Sequence, residues 1–146
     1  MKDRAIQSLN ALLSDYQVFY QKLRNYHWNV RGPFFFGLHA HFEAMYDETA
    51  GKVDELAERI AALGGRPLST FAEYLEHARL GEDRKIPGAE DMVRNLLVDL
   101  ESLTGYLREA LADEAVSKDS ATANLLEEMA DGQEKGAWML RSFLEA

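Results

Sequence analysis

The sequence contains no cysteine, which excludes disulfide bonds, thiolate metal sites and cysteine nucleophiles. Basic residues are also scarce, because 16 lysines and arginines stand against 25 aspartates and glutamates, a formal net charge of −9. Proteins that bind nucleic acid usually present a basic face, so this balance argues against such binding. An acidic surface suits the collection of cations, although acidity by itself also serves solubility. Any metal ligands must therefore be histidine, aspartate or glutamate.

Long apolar runs are missing as well. No stretch approaches the roughly 18 consecutive apolar residues that a membrane-spanning helix needs. The N-terminal residues enter an amphipathic pattern directly and lack a signal-peptide pattern, so we expect a cytoplasmic protein without membrane contact. With 146 residues, 47% of them hydrophobic, we expect residues 1–146 to form a single domain with a substantial core.

Proline occurs only three times, always in turn-like surroundings, and so divides the chain into long segments. Within these segments apolar residues recur at spacings of three and four, which is the pattern of a helix, and few segments alternate with a period of two. The predicted helices cover about 3–30, 35–63, 71–77, 89–116 and the segment after 120.

The order of these helices indicates the fold. Four are long, and the short one lies in a long connection between the second and third long helices, where Thr70 and Glu73 match a capping box. Antiparallel bundles with one long crossover have this arrangement. The sequence therefore predicts an all-α, ferritin-like four-helix bundle with a short extra helix in the crossover.

One histidine and three carboxylates lie on a single stripe of the second helix. At 100° per residue, they fall within about 100° of each other around the axis. The four are His39, Glu43, Asp54 and Glu58. Such a stripe could be an ordinary solvated face. His39 and Glu58 are also about 28 Å apart along the axis, so they cannot bind one ion within a single chain.

The four positions are, however, arranged symmetrically about one midpoint of the second helix, with His39 and Glu58 as the outer pair and Glu43 and Asp54 as the inner pair. An antiparallel copy of the helix would place His39 opposite the partner's Glu58, and Glu43 opposite the partner's Asp54. A two-fold axis makes this pairing twice and creates two equivalent sites. His27 precedes the turn at residues 31–33 and should stand at the height of His39. The predicted site combines these residues of two subunits, and imidazole with carboxylate suits Fe(II), Mn(II) or Zn(II).

Several motifs are distributed along nearly the whole chain. They are the run Asn25-Tyr26-His27-Trp28-Asn29-Val30-Arg31-Gly32-Pro33, the pairs Leu38-His39 and Phe42-Glu43, the run Asp54-x-x-x-Glu58-Arg59-Ile60 leading to Gly64-Gly65-x-Pro67, and Lys135-x-x-Trp138-Met139-Leu140. Together these motifs resemble the Dps family of mini-ferritins. The resemblance implies a homo-oligomer in which two-fold dimers build a hollow shell of twelve subunits, with iron sites at the dimer interfaces.

The same resemblance implies a ferroxidase activity. Fe(II) at a dinuclear or mononuclear inter-subunit site would be oxidised to Fe(III), preferably by hydrogen peroxide, and stored as mineral, protecting against oxidative stress. The implied catalytic and metal-binding residues are His27, His39, Asp54 and Glu58. Glu43 is a further metal ligand, at a position where some relatives carry aspartate.

Further residues can be assigned either a structural role or a functional one. Trp28 either packs at the dimer interface or, as the resemblance implies, takes up stray oxidising equivalents near the iron. The histidines at 41 and 77 are interpreted as surface residues. Acidic side chains that could line an iron entry pore are Asp113, Asp119, Glu127 and Glu128.

Two other functions compete with iron oxidation. DNA compaction is the main alternative, since the family is named for it, but the relatives that do this often carry a lysine-rich tail. The first ten residues here hold only Lys2 and Arg4 as basic side chains, so we expect no DNA binding. A structural bundle with a vestigial metal site is the third possibility.

Overall fold

The computed structural model describes residues 1–145 as an all-helical, ferritin-like four-helix bundle. The helices are α1 (Lys2–Asn29), α2 (Phe35–Ala62), α3 (Phe71–His77), α4 (Ala89–Ala112), α5 (Glu114–Ser117) and α6 (Ser120–Leu144). The fold expected from the sequence is thus confirmed, with α3 in the crossover between α2 and α4. Within the described residues, no helix is both long and apolar enough to cross a membrane.

The end of α4 differs from the expectation. The apolar pattern predicts one helix from about residue 89 to residue 116, but α4 ends at Ala112 and the separate turn α5 follows. Asp113 adopts an extended conformation, and its side chain accepts a hydrogen bond from the backbone N–H of Ala115. This cap starts a new helix, because a capped extended residue cannot continue the preceding one.

The bundle is built from two helix pairs. Helix α1 packs mainly against α2, and α4 packs mainly against α6, whereas α2 and α6 make little direct contact. Leucines from all four long helices fill the centre, together with the fully buried rings of Tyr16, Phe19 and Phe42. The weak contact between α2 and α6 leaves a groove on one side of the molecule.

A tight turn connects α1 to α2. Gly32 has a φ of +105°, a conformation that side chains of other residues disfavour, and its carbonyl accepts a hydrogen bond from Phe35 N–H at 3.1 Å. The turn reverses the chain within five residues, from Val30 to Phe34. The end of α1 and the start of α2 are thereby held side by side.

The crossover is attached to the bundle by one buried carboxylate. Asp15 of α1 is fully buried and accepts hydrogen bonds from the Arg79 guanidinium at 2.7 and 2.9 Å and from Leu80 N–H at 3.1 Å. The guanidinium also lies 3.9 Å from the centroid of the Tyr106 ring on α4. The capping box of Thr70 and Glu73 is present at the start of α3, as predicted.

Candidate metal centre

His27 and His39 meet across the α1–α2 turn. Their rings stack with centroids 3.8 Å apart and planes inclined by 13°. The Nδ1 atom of His27 lies 2.6 Å from the backbone oxygen of His39, and the Nδ1 atom of His39 lies 2.7 Å from the backbone oxygen of His27. Each histidine therefore orients the other through a reciprocal pair of hydrogen bonds.

These contacts determine which ring nitrogen can bind a metal. A carbonyl oxygen only accepts hydrogen bonds, so both Nδ1 atoms must carry the proton and donate it. In a neutral imidazole the Nε2 lone pair is then free, and a carbonyl partner at the other nitrogen is the usual support of a metal-binding histidine. The side chain of His27 is buried, which limits the motion of its ring.

Glu43 lies one helical turn beyond His39, and its carboxylate approaches the imidazole of His27. Its Oε1 atom is 3.6 Å from Nε2 of His27, and 53% of its side chain is exposed. Two ligand atoms that bind one ion at roughly 2.1 Å stand about 3.0–3.6 Å apart. The separation of Glu43 from His27 is therefore compatible with a shared ion.

Asp54 and Glu58 do not reach this place within the chain. Both are exposed on α2, about 22 and 28 Å along the axis from His39. Among residues 1–145, no three histidine, aspartate or glutamate side chains come together closely enough to hold a metal ion. One chain therefore brings together two oriented imidazoles and a nearby carboxylate, which are too few ligands to hold a metal ion by themselves.

Two aromatic residues that the sequence reading overlooked surround the histidines. The Tyr46 ring lies edge-on to His27 with centroids 5.3 Å apart, and the Phe35 ring stacks on His39 at 4.9 Å. Burial raises the pKa of Tyr46, so its hydroxyl stays protonated at neutral pH. Helical spacing could have revealed both. Phe35 lies four residues before His39 and Tyr46 lies seven residues after it, so all three share one face of α2.

Trp28 follows His27 but points outward, with 56% of its surface exposed. The guanidinium of Arg24 lies 4.9 Å from its ring centroid and 5.1 Å from that of Tyr20. This contact holds the indole on the surface beside the histidines. Trp28 is therefore not part of the core of its own chain, which leaves the interface role open.

Other sequence candidates lie elsewhere. His41 is on a different face of α2 from His39 and is half-buried, and burial lowers its pKa, whereas His77 is exposed at the end of α3. Hydrogen bonds from Thr122 and Arg59 hold the pKa of Asp119 below its usual value.

The acidic residues that could line an iron entry pore fall into two groups, paired and exposed. A salt bridge of 3.0 Å joins Asp113 to Arg4. Both of the well-paired aspartates, at 113 and 119, are thus neutralised within the chain, whereas Glu127 and Glu128 are exposed.

Comparison with known proteins agrees with this architecture. A model of the ferritin-like domain matches residues 6–146. The chain is 45% identical over 139 residues to a "DNA protection during starvation protein" of Brevibacillus brevis, covering 94% of this chain and 92% of that relative.

Solved structures match over nearly the whole chain. The Dps protein of Bacillus brevis has a TM-score of 0.95 at 40% identity, covering 99% of this chain and 97% of that one. The Dps protein of Vibrio cholerae O1 has the same TM-score at 37% identity, covering 99% and 91%, and is described as one of the ferritin-like diiron-carboxylate proteins. The chain therefore belongs to the Dps family of ferritin-like proteins.

Proposed function

We propose that this protein is an iron-storing mini-ferritin that oxidises Fe(II) with hydrogen peroxide at sites shared between two subunits. The oxidised iron is kept as ferric mineral inside a shell of twelve subunits. The observation that carries the proposal is the reciprocal hydrogen bonding of His27 and His39, which frees both Nε2 atoms for a metal. Asp54 and Glu58 of the partner subunit would complete the site, because in an antiparallel pair of α2 helices the nested spacing brings the partner's Glu58 opposite His39 and the partner's Asp54 opposite Glu43.

The ligand types suit the two oxidation states of the substrate iron. Imidazole nitrogens hold Fe(II), and carboxylate oxygens favour the harder Fe(III) ion. In the balanced reaction, two Fe²⁺ ions, one hydrogen peroxide and two waters give two units of ferric oxyhydroxide, FeO(OH), and four protons. The peroxide takes both electrons and its O–O bond breaks, so no hydroxyl radical is released. Exposed Glu43 is placed to bind the ion beside His27.

Replacing both histidines tests the proposal. The double variant His27→Ala, His39→Ala should lose fast peroxide-dependent oxidation of Fe(II), because each subunit then lacks its imidazole ligands. The rate is followed by the ultraviolet absorbance of ferric iron, and light scattering checks that the shell is still assembled. His77→Ala, an exposed histidine outside the site, is the matched control and should keep the wild-type rate. An unchanged rate in the double variant would favour a structural bundle with a vestigial site.

DNA compaction is the competing function, and the charge of the chain argues against it. At −9 per chain, an assembled shell repels the phosphate backbone, and the counterion release that drives nonspecific DNA binding needs basic side chains. We expect no retardation of DNA in a gel-shift assay near neutral pH and moderate salt. A basic DNA-binding protein run on the same gel is the positive control, and a retarded band with this protein would contradict the expectation.

A further inference from the structure

The groove between α2 and α6 contains two adjoining cavities. One has a volume of about 370 Å³ and the other of about 280 Å³, and both are lined by Glu48, Lys52 and Gly132. A Cβ atom added at Gly132 would meet no atom within 4 Å, so close packing does not require glycine there. Glycine inside a helix costs about 1 kcal/mol relative to alanine. This residue therefore weakens α6 while it leaves the cavities open.

A largely buried lysine, Lys52, lines both cavities. The Lys52 side chain is only 14% exposed. Its Nζ atom has Glu48 Oε1 and Gln133 Oε1 as neighbours, both at 3.4 Å. Hydrogen bonds between an ammonium and an oxygen are normally 2.7–2.9 Å long, so both contacts are too long to satisfy the charge fully. Lys52 is thus an incompletely paired cation facing an open space.

The surroundings of Lys52 are held rigidly. Gln133 accepts a hydrogen bond from the Tyr16 hydroxyl and donates one to Thr104 Oγ1 at 2.9 Å. The ring of Tyr16 also lies 5.7 Å from Lys52 Nζ. Each of the four long helices therefore contributes at least one polar side chain to a connected network around the ammonium.

The two cavities differ in charge. The larger is lined by Lys52 and Lys135, with Glu48 as the one carboxylate among its described lining residues, and half-buried His41 is also in its wall. The smaller is lined by Lys52 and by three carboxylates, at positions 48, 55 and 128. A small anion would therefore bind in the larger cavity, in spite of the negative charge of the whole chain.

We propose that the larger cavity between α2 and α6 binds a tetrahedral oxyanion of the inorganic phosphate type, with Lys52 and Lys135 as its cationic ligands. Phosphate oxygens accept charge-assisted hydrogen bonds from both ammonium groups. They thereby give Lys52 the short contacts that Glu48 and Gln133 do not provide. The site involves neither His27 nor His39. Its occupation is therefore separate from Fe(II) oxidation, and either proposal can fail without the other.

Calorimetric titration of the assembled, iron-free protein with inorganic phosphate tests this site. We expect saturable binding of about one phosphate per chain. Lys135→Met and Lys52→Met should each weaken the affinity by about tenfold or more, since each removes a charge-assisted hydrogen bond. The matched control Lys85→Met removes the same charge from an exposed residue of the crossover and should leave the affinity unchanged.

A third variant tests the cavity rather than its charge. Gly132→Met retains both lysines but projects its side chain into the open groove, so it should abolish phosphate binding while the helix content stays unchanged. Lys135 is exposed and outside the polar network, so its replacement remains informative even if Lys52→Met fails to fold. No saturable binding by the wild-type protein, or equal binding by Lys135→Met, would overturn the proposal.

Discussion

Co-assembly of two inactive variants is expected to restore about a quarter of the wild-type rate of Fe(II) oxidation. One variant carries His27→Ala with His39→Ala, and the other carries Asp54→Ala with Glu58→Ala. In a mixed dimer, one site collects all four mutations and the other collects none. Random pairing makes half of the dimers mixed, and each of these has one intact site out of two.

The recovered rate of Fe(II) oxidation distinguishes a site shared between two subunits from a site formed within one chain. Asp54 and Glu58 lie about 22 and 28 Å along α2 from His39, which itself stacks on His27, so no folded monomer can combine them. The two variants are co-expressed with different tags, shells containing both are purified, and the initial rate is measured with peroxide. Each variant assembled alone is the control and should be inactive. A mixed shell as inactive as its parents would refute the two-subunit site.

Asp15→Ala is expected to cause the largest loss of stability of any single replacement considered. The carboxylate is fully buried and accepts hydrogen bonds from the Arg79 guanidinium and from Leu80 N–H. Removing it leaves the backbone N–H of Leu80 without an acceptor next to the core, whereas the Arg79 side chain is 37% exposed and stays partly hydrated, so we expect a cost of about 1–3 kcal/mol. Because domains are stable by only about 5–15 kcal/mol, the loss should be plain in a urea titration.

Glu134→Ala is the matched control for that measurement. Glu134 also pairs with an arginine, Arg108, but both side chains are more than half exposed. Exposed ion pairs contribute about 0–1 kcal/mol, so the urea midpoint should hardly move. Both variants are compared at one protein concentration, since assembly adds to apparent stability. If Asp15→Ala behaves like Glu134→Ala, the crossover does not depend on the buried carboxylate.

Local patterns in the sequence account for most of the fold. The three- and four-residue spacing of apolar side chains predicts the long helices, and Gly32 with Pro33 predicts the turn between α1 and α2. The break between α4 and α5 was missed because apolar spacing continues through it. A single side-chain cap at Asp113 decides that break, and apolar periodicity carries no information about caps.

The site could be predicted in part from spacing. The turn brings His27 and His39 together, as their positions around it indicate, whereas Asp54 and Glu58 remain distant in the same chain and their role stays a prediction. The reciprocal contacts to backbone oxygens could not be predicted, because they depend on the register of the two helices to within about an ångström. Tyr46 was overlooked since an aromatic residue at helical spacing is usually read as core.

Composition and the helical repeat are enough to specify the long helices, the turn between α1 and α2, the absence of thiol chemistry and the stripe of residues on α2. The tertiary structure alone decided which imidazole nitrogens are free, where Asp15 anchors the crossover, and that α2 and α6 stand apart around Lys52. These features arise between helices that are distant in sequence. Their geometry depends on how whole helices pack, which no local pattern specifies.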